Sequence, residues 1–237
     1  MNQHVSAACS IPRDVCHYCS CFTCSSFNHF SLARTARNFG DPHFDTFDGL
    51  RYTFNGKGEF WLVQTTDDSV NVQVRLTPVE DGGATIITAV AVQFDGSDSA
   101  AQARISGGNV TVEIGDTVYT ADDVENATNI DASGNIVEVG DNVAALQNVV
   151  FQLLKDSGSS GIVISSLNGV SVTVRLQSRV ALSVSASLNG KAAENTTRGL
   201  LGVINGDTTD DFTLPNDTTI DINSTEEDIY NKFGLKR

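Results

Sequence analysis

From Phe44 to Arg237 the chain contains no cysteine and no histidine. Its five cysteines, Cys9, Cys16, Cys19, Cys21 and Cys24, and its four histidines, His4, His17, His29 and His43, all fall in the first 43 of 237 residues. This absence removes whole reaction classes from the body of the chain. A Ser-His-Asp or Cys-His nucleophilic site cannot be assembled there, nor can a zinc centre ligated by histidine or cysteine. Only oxygen ligands are left, and these suit hard cations such as calcium. Basic charge is also scarce: 15 Lys and Arg face 29 Asp and Glu, for a formal net charge of −14. That argues against nucleic acid as a partner, because a binding face must neutralise phosphates, and against polybasic attraction to a membrane surface. No apolar run approaches the roughly 18 residues of a membrane-crossing helix. The best, Ala84 to Phe94, is interrupted by Thr and Gln. Met1 to Cys24 has no apolar stretch of the kind a secretory leader carries. No long helical periodicity is present, which disfavours βαβ folds.

What is there reads as β-structure, on an apolar content of 40% that suffices for a packed core. Leu50 to Gln64 predicts a hairpin about Asn55-Gly56. Val70, Val72, Val74 and Leu76 alternate with polar residues, the period of a half-buried strand. Ala84 to Phe94 predicts a longer apolar strand, and Val110 to Ile114 and Thr117 to Thr120 flank a turn at Gly115-Asp116. Ile136 to Val139 and Val149 to Leu154 follow. Ile162 to Ser166 turns at Asn168-Gly169 into Val170 to Leu176, and Val180, Leu182, Val184 and Ala186 alternate with small residues to complete a three-strand meander. Near the end, Ser224 to Glu227 has capping-box form, and Ile229, Tyr230 and Phe233 supply a short helical stripe. Trp61, with Phe54 and Phe60, is expected in the core. The expected architecture is all-β: an antiparallel β-sandwich or flattened barrel of about ten strands with a short C-terminal helix. Residues 1–38 form a Cys-containing segment without periodicity, and residues 39–237 the β domain.

Five N-x-S/T sequons, at Asn109, Asn126, Asn195, Asn216 and Asn223, are acceptors only in a secreted context. They favour an extracellular or cell-surface setting, with the chain a segment of a larger secreted or membrane-anchored protein. An odd cysteine count leaves a partner missing or a thiol free. Metal binding by Cys16-x-x-Cys19 and Cys21-x-x-Cys24 is the alternative, although the two pairs stand too close for a usual zinc hairpin.

Two segments carry chemistry. In Gly199 to Phe212, oxygen-bearing side chains fall at Asn205, Asp207, Asp210 and Asp211, with Gly206 allowing the backbone to fold tightly among them. Carboxylates crowded into one short loop repel unless a cation sits between them. The spacing resembles the start of an EF-hand loop without its closing Glu, so a ligand from elsewhere is required. The alternative is an Asn/Asp/Gly-rich turn facing water. In Gly40 to Tyr52, the Asp41-Pro42 peptide is chemically weak. The Asp carboxylate can attack its own carbonyl carbon, proline nitrogen leaves readily once protonated, and His43 can supply the proton. The alternative is a rigid Gly-Asp-Pro lead into a strand. Adjacent acids such as Asp67-Asp68 and Asp122-Asp123 lack the arrangement of a glycosidase pair.

Together these segments, GDPH-x-x-TFDG-x-x-Y and GLLG-x-x-N-G-D-x-x-DDF, resemble the opening and closing motifs of the von Willebrand factor type D domain. Leu201, where many members carry Cys, and FNGKGEF at Phe54 to Phe60 are most similar to the subgroup found in mucin-4 and sushi-domain-containing proteins. There an AMOP domain precedes the type D domain, and Cys9 to Arg37 resembles a degenerate remnant of one. The resemblance implies that calcium is held by the late loop together with Asp48 of the TFDG segment. Members with Asn at the position of Val203 use it as a further ligand, and Val203 cannot serve. It also implies that Asp41-Pro42 is cut autocatalytically, as GDPH is in some mucins; this is one event per chain, not turnover. The expected function is therefore a non-enzymatic extracellular calcium-binding module for protein–protein contact, cell–matrix adhesion or mucin-like assembly. Its partners would be extracellular proteins or matrix, and its own cleaved N-terminal segment if processed. Alternatives are a self-cleaving module, which can coexist with the first, and an acidic matrix protein that interacts with calcium or mineral.

Overall fold

The computed structural model describes residues 34–80, 82–94, 100–114, 117–120, 129–130, 136–138, 143–146, 149–156, 159–166, 169–189, 197–214 and 216–233. All lie within the compact unit 31–237. The five cysteines, the AMOP-like segment up to residue 33, and the sequons at Asn126 and Asn195 lie outside the described residues.

Every strand pairing is antiparallel, and the order follows the chain closely. Strands β1 (Arg34–Phe39), β2 (His43–Asp45) and β3 (Arg51–Thr53) form a short ladder, β1 with β2 and β2 with β3. A first meander runs through β4 (Gly58–Thr65), β5 (Val70–Pro78), β6 (Thr85–Phe94), β7 (Ala101–Ser106), β8 (Asn109–Ile114) and β9 (Thr117–Tyr119). A second runs through β10 (Asn129–Ile130), β11 (Ile136–Glu138), β12 (Val143–Leu146), β13 (Val149–Asp156), β14 (Ser159–Ser166), β15 (Ser171–Leu176) and β16 (Leu182–Leu188). β1 adds to β16, with Arg34 opposite Leu188 and Asn38 opposite Val184, so the sheet opens at Arg34, inside the segment 1–38. The meanders join where Leu182 meets Ile87, and β8 touches β14 and β15. β17 (Thr197–Arg198) pairs with β4, and helix α1 (Glu226–Phe233) closes the chain.

The expected all-β antiparallel class with one short C-terminal helix is what the chain adopts. Among the described residues the strands number seventeen, more than about ten: β9 and β11 form on runs expected above, whereas β1, β2, β7, β10, β12 and β17 are additional, of which β2, β10 and β17 hold only two or three residues each. A period of two cannot register over so short a run. Where the strands are longer, alternation sorts the faces as expected. Val70, Val72, Val74 and Leu76 are buried on β5, as are Leu182, Val184, Ala186 and Leu188 on β16. Phe44, Phe54, Leu62, Ile164, Val172, Val174 and Phe212 are among the most buried of one continuous core. Each contributes about 1.5–3 kcal/mol through burial.

Four local expectations differ. Residues 54–57 between β3 and β4 form a connector, not a two-residue hairpin turn. Asn55 accepts from Thr85 N at 3.0 Å through its side chain, and Gly56 packs so tightly that a Cβ would lie 2.5 Å from the Phe54 ring and 2.7 Å from the Phe60 ring. Trp61 is half-buried, because it alternates with the inward Phe60 and Leu62 and so takes the outer face, while the bulge between Trp61 and Val63 turns Val63 inward beside Leu62. Val180 stands 62% exposed in the turn before β16, where Ser178 and Ala181 bond to each other, so the strand's alternation starts at Leu182. The cap of α1 is Thr225, one residue later than the start of the expected box. Its Oγ1 accepts from Asp228 N at 3.1 Å and donates to Asp228 Oδ2 at 2.8 Å.

Candidate functional site

The turn between β2 and β3, residues 46–50, projects from the short ladder. Thr46 N donates to Leu50 O at 2.9 Å, Gly49 N donates to Thr46 O at 3.2 Å, and Leu50 N donates to Thr46 Oγ1 at 2.9 Å. Gly49, with φ of 94°, supplies the left-handed conformation this tight turn requires. The late loop is anchored separately. Leu200 N and Leu201 N donate to the Trp61 and Leu62 carbonyls of β4 at 2.9 and 3.0 Å. Leu200 and Leu201 are fully buried, which pins the loop to the core before its acidic stretch begins.

The two segments meet. Phe47 N donates to Leu201 O at 3.0 Å. Asp48, its side chain wholly buried, accepts through Oδ2 from Asn205 N at 2.9 Å and Gly206 N at 2.6 Å, and through Oδ1 from Arg34 Nη1 at 2.9 Å. One carboxylate thus ties together β1, the early turn and the late loop. Asp211, also fully buried, accepts from Thr46 Oγ1 at 2.7 Å and from Val203 N at 3.0 Å. Gly202, at φ of 77°, lies against it: a Cβ there would fall 2.1 Å from Asp211 Oδ1. Burial pushes the Asp211 carboxyl from its ordinary 3.8 up to about 6, the Thr46 and Val203 hydrogen bonds oppose the rise, and the charges of Asp48 and Asp210 add to it. Tyr52 donates its hydroxyl to Leu200 O, and burial followed by the Asp211 charge holds that phenol well above its ordinary value.

Asn205 and Asp210 form the other half. Asn205 Nδ2 donates to Asp210 Oδ2 at 2.6 Å, and Asn205 Oδ1 accepts from Asp207 N at 2.7 Å in an Asx turn. Asp210 Oδ1 is buried and accepts no hydrogen bond. Asp207 is exposed and caps the 3-10 turn Thr208–Asp210, taking Thr209 N and Thr209 Oγ1 at 2.9 and 2.6 Å; these bonds hold its carboxyl below the usual range. Of the five expected metal residues, Asp48, Asn205, Asp210 and Asp211 are therefore brought together, and Asp207 serves as a cap. Among the described residues, no three His, Cys, Asp or Glu side chains stand as a ready-made metal cage.

Asp41 sits exposed in the turn of residues 40–42, which opens at Gly40 with φ of 68°. Pro42 is buried and its carbonyl accepts from Phe54 N at 3.2 Å. The His43 ring is exposed, shares a hydrogen bond of 2.8 Å with Thr53 Oγ1, and packs at 5.6 Å from the Phe39 ring. The sequons at Asn109, Asn216 and Asn223 are exposed.

Thr46, Tyr52, Gly202 and Arg34 are the partners that sequence reasoning missed. The first three lie inside the two motifs, as residues without an obvious charge or ligand role. Arg34 precedes both motifs and has no local signal at all.

The site thus defines an antiparallel β module whose β2–β3 turn is clamped by a late acidic loop. The sequence model of the von Willebrand factor type D domain matches residues 36–218, so the chain belongs to that family. It is similar to rat Mucin-4, 34% identical over 205 residues that cover 85% of this chain and 8% of that protein. Human Sushi domain-containing protein 2 is 35% identical over 190 residues, 76% of this chain and 20% of that protein. Human Mucin-4 is 35% identical over 217 residues, 83% and 3% respectively. The chain therefore spans a fifth or less of the length of these relatives. No helix among the described residues is long and apolar enough to cross a membrane.

Proposed function

We propose that this chain is an extracellular adhesion or assembly module in which calcium holds the late acidic loop against the early turn. The observation that carries the reading is the convergence of Asp48, Asp210 and Asp211, with Asp210 Oδ1 buried and unpartnered. A buried carboxylate oxygen without a donor is costly unless a cation or water completes it. The charges of Asp48 and Asp210 both press on Asp211, and a divalent ion would relieve that repulsion. Asp210 Oδ1, Asn205 Oδ1 and Asp48 would supply oxygens, with Asp211 behind them positioning the loop through Val203 N. Both Asp48 oxygens already accept backbone or guanidinium donors, so the ion's role is structural closure, not chemistry. The exposed sequons and the similarity to mucin and sushi-domain proteins support the extracellular setting. The test is thermal melting of the purified chain with calcium against chelator, beside Asp210→Ala. A calcium-dependent rise in the wild type that the variant lacks supports the reading; equal melting in all four samples contradicts it.

A second reading rests on the turn at Asp41. Among the described residues its exposed carboxylate makes no side-chain hydrogen bond, and the neighbouring imidazole is fixed by Thr53. Asp41 would attack its own carbonyl carbon to form a cyclic anhydride as the C–N bond to Pro42 breaks. The proline nitrogen takes a proton from His43 or water, and water then opens the anhydride. Intact mass after incubation at pH about 5–6 tests it, within the range where histidine titrates. A single uncleaved species, with Asp41→Ala identical, refutes it.

A further inference from the structure

At the end of the sandwich where the turns β1–β2, β5–β6 and β15–β16 gather, a half-open hollow of about 340 Å³ lies between Asp41, Val79, Thr85, Ile86, Gln177 and Ala181. Its size is at the low end for ligand pockets, about 300–1,000 Å³, enough for a side chain and too small for a folded element. Three features give it a chemical preference. Its walls are aliphatic: Val79, Ile86 and Ala181 line it, and the exposed Val180 stands in the same turn as Ala181. Its one ionisable lining group is a carboxylate, Asp41, on a chain of net charge −14. It offers side-chain oxygens that can accept. Gln177 Oε1, which takes Gly40 N at 3.2 Å, has a second lone pair, and Thr85, fully buried, has an Oγ1 with no hydrogen bond at all.

A buried hydroxyl without a hydrogen-bond partner is costly. A group that brings several donors on an apolar stem would satisfy the whole lining. We propose that this hollow binds an arginine side chain of a partner protein. Its methylene stem lies on Val79, Ile86 and Ala181, and its guanidinium donates to Asp41, Gln177 Oε1 and Thr85 Oγ1. The planar five-donor fork fits three acceptors in a way that the point charge of lysine does not, and the long stem covers apolar surface while the head stays charged. The site is separate from the acidic loop and does not depend on calcium there.

The probe is N-acetyl-arginine amide, titrated into the 15N-labelled whole chain in chelator and followed by amide shifts. The expected result is saturable shifts at Gly40, Thr85, Ile86 and Ala181 with millimolar affinity. Asp41→Asn should weaken it about fivefold, and Thr85→Val should weaken it while leaving the rest of the spectrum unchanged. Ala84→Leu, which fills the hollow from its half-buried rim, should abolish the shifts. N-acetyl-citrulline amide, the neutral isostere, should give none, and N-acetyl-lysine amide weaker ones. No saturable shift at these amides, or equal shifts from citrulline, overturns the proposal and leaves Thr85 to a bound water.

Discussion

Lowering pH from 7.5 to 5 in chelator should make this protein more stable, the reverse of ordinary acid destabilisation. The cause is Asp211, whose carboxyl is raised from 3.8 to about 6 in the folded chain, first by burial. Because the folded state holds that proton more tightly than the unfolded chain, its contribution is fully present below the unfolded value and is lost as pH rises through about 6. Integrating between the two pH values gives about 1.4 kcal/mol, or a rise in Tm of about 3–6 °C for a domain of this size. The carboxyls held low, Asp67, Asp207 and Asp221, lose their contribution only at more acid pH, so the Asp211→Asn comparison reads Asp211. Urea denaturation at several pH values in chelator measures it, with Asp211→Asn as the variant that flattens the profile. In saturating calcium the trend should reverse, because protons and cation compete for the same cluster. Flat or falling stability between pH 7.5 and 5 in chelator, with Asp211→Asn superimposable on the wild type, would refute the reasoning.

Other perturbations read the same clamp. Gly202→Ala forces a Cβ to 2.1 Å from Asp211 Oδ1 at a φ of 77°, and should cost about 3 kcal/mol or more by urea titration. Thr46→Val removes the hydroxyl on Asp211 and should cost about 1.5–3 kcal/mol, the range for hydrogen bonds to a charged group. Arg34→Ala leaves Asp48 its two backbone donors and should cost about 1 kcal/mol, a difference that shrinks in high salt.

The fold was legible wherever alternation ran long enough to mark a face, as on β5, β15 and β16, while the turn expected at Gly115-Asp116 lies outside the described residues. It failed where tertiary contacts decide. Asn55-Gly56 has hairpin chemistry, yet Asn55 is recruited to the backbone of Thr85 and Gly56 to two phenyl rings, neither of which is a local signal. Trp61 was expected inside because apolar residues crowd that strand, but alternation between the inward Phe60 and Leu62 puts it on the outer face. At the candidate site, the acids that meet were readable from charge crowding and a family resemblance. What holds them was not. Thr46, Tyr52 and Val203 act through a hydroxyl, a phenol and a backbone N–H, and Arg34 acts from a strand adjacent in space but not in sequence. Asp207 caps the 3-10 turn because Thr209 lies two residues on, a role its place among the expected ligands did not announce.

The most direct test of the account is calorimetric titration of the chelator-treated chain with calcium. One saturable site per chain is expected, lost in Asp210→Ala and weakened in Asp48→Asn. Many weak sites unaffected by either substitution, or no heat at all, would contradict it.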